Sequence, residues 1–260
     1  VDAECCADGT FALTAAELKA GDSRPDVGWG VAGGTVRISA NLGERLPLAP
    51  CAYRGTLELT GPGTFVMAGT NAIVSVAGAF TNGATVAVRG GATVEQGDLP
   101  VFVGCLFKPS GAQTPSSYGR LLVAGARWLS TTSAEPSDLA WSSLHDNALY
   151  VGSMLNGILD IQSGGVVSNK LVVGGGGCDY SVAVHETLGS ADGAVYVGTG
   201  GRLFVRAGAA NPRLASQIGH AGYGYLQVDE GAEATIGEGP VSVGLHGLGV
   251  FHQYGGTFVK

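Results

Sequence analysis

Residues 147–174 contain Asn147-Ala148-Leu149-Tyr150-Val151-Gly152, then Asn156-Gly157-Ile158-Leu159-Asp160-Ile161-Gln162-Ser163-Gly164-Gly165, then Leu171-Val172-Val173-Gly174. Two units recur outward from this stretch. The first is a dipeptide, seen as Val151-Gly152, Val173-Gly174, Val197-Gly198, Ile218-Gly219 and Val243-Gly244. The second is apolar-x-apolar-x-x-Gly. It occurs at Leu159-Asp160-Ile161 with Gly164, Leu203-Phe204-Val205 with Gly208, and Leu226-Gln227-Val228 with Gly231, with a weaker copy at Val250-Phe251-His252 with Gly255. Short alternating strands between glycine corners, at a period near 22 residues, mark a solenoid.

The same grammar extends upstream through Thr35-Val36-Arg37-Ile38, Thr56-Leu57-Glu58-Leu59, Ile73-Val74-Ser75-Val76, Thr85-Val86-Ala87-Val88 and Leu121-Leu122-Val123. Strands in every repeat and little helical periodicity predict an all-β chain, a parallel β-helix with coils of about 22 residues. Alternation places Leu159, Ile161, Leu203, Val205, Leu226 and Val228 inside. Val151, Val173, Val197, Ile218 and Val243 are expected to form one inward ladder, and Arg206 and Asp229 to be lateral neighbours on the outer face.

Residues 1–30 differ from the rest and read as an N-terminal cap, with a helical turn begun by the Thr14…Glu17 capping box. Residues 31–260 are assigned to the β-helix, interrupted by loop insertions near 95–118, which holds Pro100, Pro109 and Pro115, and near 129–146. The closing Gly255-Gly256-Thr257-Phe258-Val259-Lys260 reads as the start of a further strand, so the protein is expected to continue past Lys260.

The chain has 260 residues, 45 of them glycine, with only 13% charged residues and a net charge of -7. Glycine without a strict third-residue period excludes collagen, and 45% hydrophobic content excludes disorder. The 14 Lys and Arg residues form no basic stripe, so neither nucleic acid nor an anionic membrane surface is an expected partner. No apolar run is long enough for a membrane-spanning helix, and no membrane insertion is expected. Five cysteines, Cys5, Cys6, Cys51, Cys105 and Cys178, include no Cys-x-x-Cys pair. A disulfide from Cys5 or Cys6 to Cys51, clamping the cap, is the first expectation in an oxidising compartment; buried reduced thiols are the alternative.

The repeats quoted from 147–174 resemble the passenger repeats of bacterial autotransporters and related surface proteins. The resemblance covers 147–260 well and 33–128 loosely. It implies a right-handed parallel β-helix, secretion and display at the cell surface. It does not imply one activity, since such passengers include adhesins, proteases, lipases and inert stalks.

Searches for chemistry return little. The paired aspartates, Gly-His-Gly and Arg-x-Lys of pectinase-type glycosidases have no counterpart; Gly219-His220-Ala221-Gly222 and Leu245-His246-Gly247 are the nearest fragments. Gly21-Asp22-Ser23-Arg24 departs from a serine-protease Gly-Asp-Ser-Gly at its fourth position. His220 and His246 follow successive corners, but no carboxylate shares their register, so no metal and no cofactor is expected. The irregular coil 174–193, with Cys178, Asp179, Tyr180, His185, Glu186 and Asp192, breaks the local rules. Tyr150 and Tyr196 occupy outward positions of one strand, and Phe204 and Phe251 outward positions of the next. Tyr150, Tyr196, Phe204, Phe251, Tyr180 and His185 are therefore the candidate binding residues.

These readings lead to a secreted or cell-surface rod, structural or adhesive and non-catalytic. A glycan or a host or cell-surface protein is the expected partner, and the end of the solenoid offers a route to self-assembly. The alternative is a polysaccharide-active hydrolase or lyase on a pectin-lyase-like β-helix.

Overall fold

The computed structural model describes residues 10–13, 30–48, 52–67, 74–76, 84–97, 101–104, 118–130, 148–152, 156–175, 191–206, 216–220, 222–237, 241–244 and 247–260. The strands are β1 (Thr10–Leu13), β2 (Gly30–Ser39), β3 (Arg45–Leu48), β4 (Ala52–Thr60), β5 (Thr64–Met67), β6 (Val74–Val76), β7 (Ala84–Arg89) and β8 (Thr93–Gln96). They continue with β9 (Val101–Val103), β10 (Tyr118–Ala124), β11 (Arg127–Ser130), β12 (Leu149–Val151), β13 (Asn156–Gln162), β14 (Val166–Asn169), β15 (Leu171–Val173) and β16 (Gly193–Val197). The last are β17 (Arg202–Val205), β18 (Ser216–Ile218), β19 (Tyr223–Asp229), β20 (Glu233–Ile236), β21 (Val241–Val243), β22 (Leu248–Tyr254) and β23 (Thr257–Val259). No helix occurs among the described residues.

These strands form three parallel sheets, visited in fixed order. The first sheet runs β4-β7-β10-β13-β16-β19-β22, the second β3-β5-β8-β11-β14-β17-β20-β23, and the third β6-β9-β12-β15-β18-β21. β4 rounds a corner, pairing with β6 at Ala52–Tyr53 and with β7 at Thr56–Leu59, so the first and third sheets are continuous there. β1 pairs in parallel with β2, which brings Thr10–Leu13 into the stack; the expected helical turn at Thr14–Glu17 lies outside the described residues.

Steps near the expected period of about 22 occur in all three sheets, as in Val36 to Leu57, Ala234 to Phe258 and Val151 to Val173, but not at every coil. Val151 pairs with Val173, 22 residues on, but Val173 pairs with Ile218, 45 residues on. Steps in the first sheet are uneven, short from Val36 to Leu57 and from Leu226 to Phe251 and longer from Leu121 to Leu159 and from Leu159 to Val195. Extra residues enter at the two corners that flank the third sheet. The corner from the first sheet to the second stays short throughout, as at Gln162–Val166 and Asp229–Glu233. The expected insertions are narrower than the sequence implied. Glu95 and Gln96 belong to β8, Val101–Val103 is β9, and Leu129 and Ser130 end β11.

The single ladder of five residues needs a correction. Val151, Val173, Ile218 and Val243 do stack in the third sheet. Val197 belongs to the first sheet, between Ile161 and Val228. Arg206 and Asp229 are not neighbours either. Arg206 follows β17 of the second sheet, whereas Asp229 ends β19 of the first and pairs with Tyr254.

Aliphatic rows from the three sheets meet in one core. Leu57, Val86, Leu121, Leu159, Val195 and Leu226 form one inward row of the first sheet, and Ile38, Leu59, Val88, Val123, Ile161, Val197 and Val228 the next. Leu46, Phe65, Val94, Trp128, Val167, Leu203 and Ala234 face them from the second sheet. All are buried, and each large one contributes about 1.5–3 kcal/mol through burial. Glycines let the third sheet close against the first. Gly157, Gly193, Gly224 and Gly249 stack laterally at the starts of β13, β16, β19 and β22. A Cβ on Gly157 would run into the backbone of Gly152 and Val103, and one on Gly193 into Gly174 and Val151.

One buried polar node interrupts the core. Gln96 Oε1 accepts from Trp128 Nε1 at 2.9 Å and from Asn169 Nδ2 at 2.7 Å, while Gln96 Nε2 donates to the Ala148 carbonyl at 3.3 Å. Most deep polar groups are paired in this way, although Asn169 Oδ1 in the same node accepts no hydrogen bond among the described residues.

Candidate functional site

The outward face of the first sheet follows from the same alternation. With Leu226 and Val228 inside, Tyr223, Tyr225, Gln227 and Asp229 must point out from β19. Parallel register sets them beside the outward residues of adjacent strands. Asp160, Tyr196, Gln227 and His252 form one lateral row, and Ile158, Ala194, Tyr225 and Val250 the next.

A cleft of about 360 Å³ opens on this face. Its floor is Gly157, Ile158, Gly193 and Ala194, and its polar and aromatic walls are Asn156, Asp192, Tyr196, Tyr223, Tyr225 and Gln227. Ala194 makes the hollow, because a methyl sits in register between the isobutyl-sized Ile158 and the ring of Tyr225. Tyr196 and Tyr225 lie 5.9 Å apart between ring centroids and tilted by 54°, and Tyr223 and Tyr225 6.5 Å apart and nearly parallel. Tyr196 and Tyr223 are each 37% exposed, high for rings of that size.

Hydrogen bonds fix the walls. The Tyr225 hydroxyl donates to Gln227 Oε1 at 2.7 Å, and Gln227 Nε2 donates to Asp229 Oδ1 at 2.7 Å. Asn156 Oδ1 accepts from the Asp192 backbone N–H at 3.0 Å, pinning the two strand starts together. Asp160, only 7% exposed, is held by Arg120 and accepts from Gln162 Nε2 at 2.7 Å. Burial raises the Tyr225 phenol above its ordinary pKa, and Tyr254, Tyr196, Tyr223 and Asp229 add to the rise. The phenol therefore stays protonated and able to donate through neutral and mildly alkaline pH.

The structure separates the six expected binding residues. Tyr196 lies in the cleft wall. Tyr150 is in the third sheet, 8% exposed and stacked on Phe102 at 4.9 Å, in a small apolar cluster with Ala148 and Val172. It is not on a free surface and not in the strand position of Tyr196. Phe204 does point outward, half-buried, between Ser168 and Thr235, but on the second sheet. Phe251 faces inward: it pairs with Leu226, packs on the core and lies 4.5 Å from the Phe258 ring. Tyr180 and His185 lie outside the described residues, as do Cys5, Cys6, Cys51, Cys105 and Cys178.

The sequence reading does not single out Tyr223, Tyr225, Gln227 or Asn156, and it notes Asp192 only as part of the irregular coil 174–193. The alternation of Tyr223-Gly224-Tyr225-Leu226-Gln227-Val228-Asp229 already places both tyrosines outside. What brings Tyr196 beside them is a register 31 residues long, from Val195 to Leu226, which the apparent period hides. Among the described residues no three His, Cys, Asp or Glu side chains gather closely enough to hold a metal ion. No protein-family model matches the chain, and no curated protein and no solved structure matches it either.

Proposed function

We propose that the chain is a right-handed parallel β-helix that works outside the cell as an adhesive and structural rod, binding its ligand without transforming it. The observation that carries this reading is the cleft of Tyr196, Tyr223 and Tyr225 on the outward face of the first sheet. Half-exposed rings on a rigid scaffold form a contact surface that loses little entropy on binding. Low charge and high glycine content suit a surface rod, and the resemblance to passenger repeats points to the same setting. The carboxylate among the cleft-lining residues is Asp192, and the nearby Asp160 is committed to Arg120 and Gln162. Hydrolysis of a glycoside needs two carboxyl groups facing one bond, and this geometry favours binding over that chemistry.

The test is to incubate the protein with neutral and acidic polysaccharides and measure new reducing ends and unsaturated products beside retention on the same polymers. Retention without new products is expected. Turnover that disappears in Asp192→Asn or Asp229→Asn would overturn the reading in favour of an enzyme.

A further inference from the structure

Resting on the reading of this face as a binding surface, the geometry points to an uncharged glycan chain as the ligand of the tyrosine cleft. Three features of the site select that chemistry. The first is aromatic. A pyranose ring presents a face of C–H bonds with partial positive charge, which settles on the negative π face of an aromatic ring. Tyr196, on β16, and Tyr223 and Tyr225, on β19, offer such faces on neighbouring strands. The strand spacing of about 4.8 Å is close to the length of one sugar unit along an extended glycan, so rings on adjacent strands can meet successive sugars.

The second feature is the hydrogen-bonding edge. Sugar hydroxyls both donate and accept, and the cleft walls carry groups of both kinds: the Asn156 and Gln227 amides, the phenols and the Asp192 carboxylate. The chain of hydrogen bonds from Tyr225 through Gln227 to Asp229 sets the Gln227 amide in one orientation and leaves the Tyr225 oxygen as an acceptor toward the cleft. The volume of about 360 Å³ falls at the lower end of the range of about 300–1,000 Å³ for small-molecule sites, which fits a short segment of a chain that runs on past it.

The third feature is charge. The formally charged side chain among the lining residues is Asp192; Asp229 ends β19 two residues past Gln227 and Glu230 follows it, while Arg120, beside Ile158, is paired with Asp160. A polyanion such as a uronate polymer would meet this field unfavourably. Charge thus disfavours polyanions, and the aromatic faces and the amide and phenol edge, which ask for no charge on the ligand, select the uncharged class; attraction of a cationic glycan to Asp192 is an outcome of the test.

The experiment is isothermal titration calorimetry of the intact chain with three probes of equal length: cello-oligosaccharide, oligogalacturonate and chitosan oligomer. Variants Tyr196→Ala, Tyr225→Ala and Tyr225→Phe are measured beside Phe204→Ala, which lies on another sheet, with circular dichroism to confirm their fold. The expected result is binding of the uncharged oligomer, weakened tenfold or more by Tyr196→Ala and by Tyr225→Ala, less by Tyr225→Phe, and within twofold of the parent for Phe204→Ala. Stronger binding of oligogalacturonate or chitosan oligomer, lost in the tyrosine variants, would overturn the ligand class while leaving the binding rod intact. Binding that survives Tyr196→Ala with Tyr225→Ala, or no binding of any probe, would overturn the site. Shortening of a probe during titration would overturn the proposed function itself.

Discussion

Tyr225 and Gln227 stand two residues apart on β19 and are joined side chain to side chain, the phenol donating to Gln227 Oε1 at 2.7 Å. Both lie on the outward face, yet the phenol is sheltered enough that burial, reinforced by Tyr254, Tyr196, Tyr223 and Asp229, raises its pKa. The hydrogen bond and the partial burial hold this hydroxyl in one orientation on the sheet face.

The raised pKa carries a stability signature. Below about pH 10, the ordinary tyrosine value, folded and unfolded chains both keep this proton and Tyr225 adds no slope. Above it the unfolded chain releases the proton first, so stability falls as pH rises toward the folded pKa. Urea midpoints measured through that alkaline window should fall less steeply for Tyr225→Phe than for the parent. Identical slopes would mean that the phenol is not sheltered.

The glycine column separates packing from backbone strain. Gly157→Ala drives a methyl into the Gly152 and Val103 backbone and should cost several kcal/mol, about the scale of overpacking or worse. Gly164 has φ near +79° with open space around it, so Gly164→Ala should cost only about 1–2 kcal/mol for the left-handed backbone. Denaturant unfolding of both variants checks the order, and equal costs would show that the third sheet does not close against β13 as described.

The buried node predicts non-additivity. Gln96→Leu strands the Trp128 indole N–H and the Asn169 amide, each at about 1–3 kcal/mol. Adding Asn169→Val, the residue type found at Val205 one strand further on, should recover part of that loss. A double-mutant cycle giving simple addition would contradict the pairing.

Local alternation made the strands and most of the core legible from the sequence, because period-2 burial is written residue by residue, as at Leu159, Ile161, Leu226 and Val228. Which strand lies beside which was not legible. Val197-Gly198 has the same letters as Val173-Gly174, yet Gly174 turns a corner of the third sheet with φ near +76° while Val197 ends a strand of the first. Phe251 was assigned to the wrong face for a related reason. The corner from Tyr254 to Thr257 is one residue shorter than that from Asp229 to Glu233, and aligning the two on Gly255 shifts the phase by one residue, which inverts in and out. Tyr150 is outward in its strand as alternation requires, but the outward positions of that sheet, Phe102, Tyr150, Val172 and Gln217, are themselves buried. The candidate cleft was half legible: its residues were outward by pattern, and their meeting depends on lateral register, which insertions of unequal length conceal.

The most direct measurement of the central claim, recognition at the outward face of the first sheet, is NMR of the protein with labelled tyrosine rings during titration with cello-oligosaccharide. The eight tyrosines are assigned by single Tyr→Phe substitutions. The account predicts that the signals of Tyr196, Tyr223 and Tyr225 move together with one dissociation constant while that of Tyr150, buried against Phe102, stays fixed. Shifts confined to tyrosines outside the cleft, or none at saturating oligosaccharide, would contradict it.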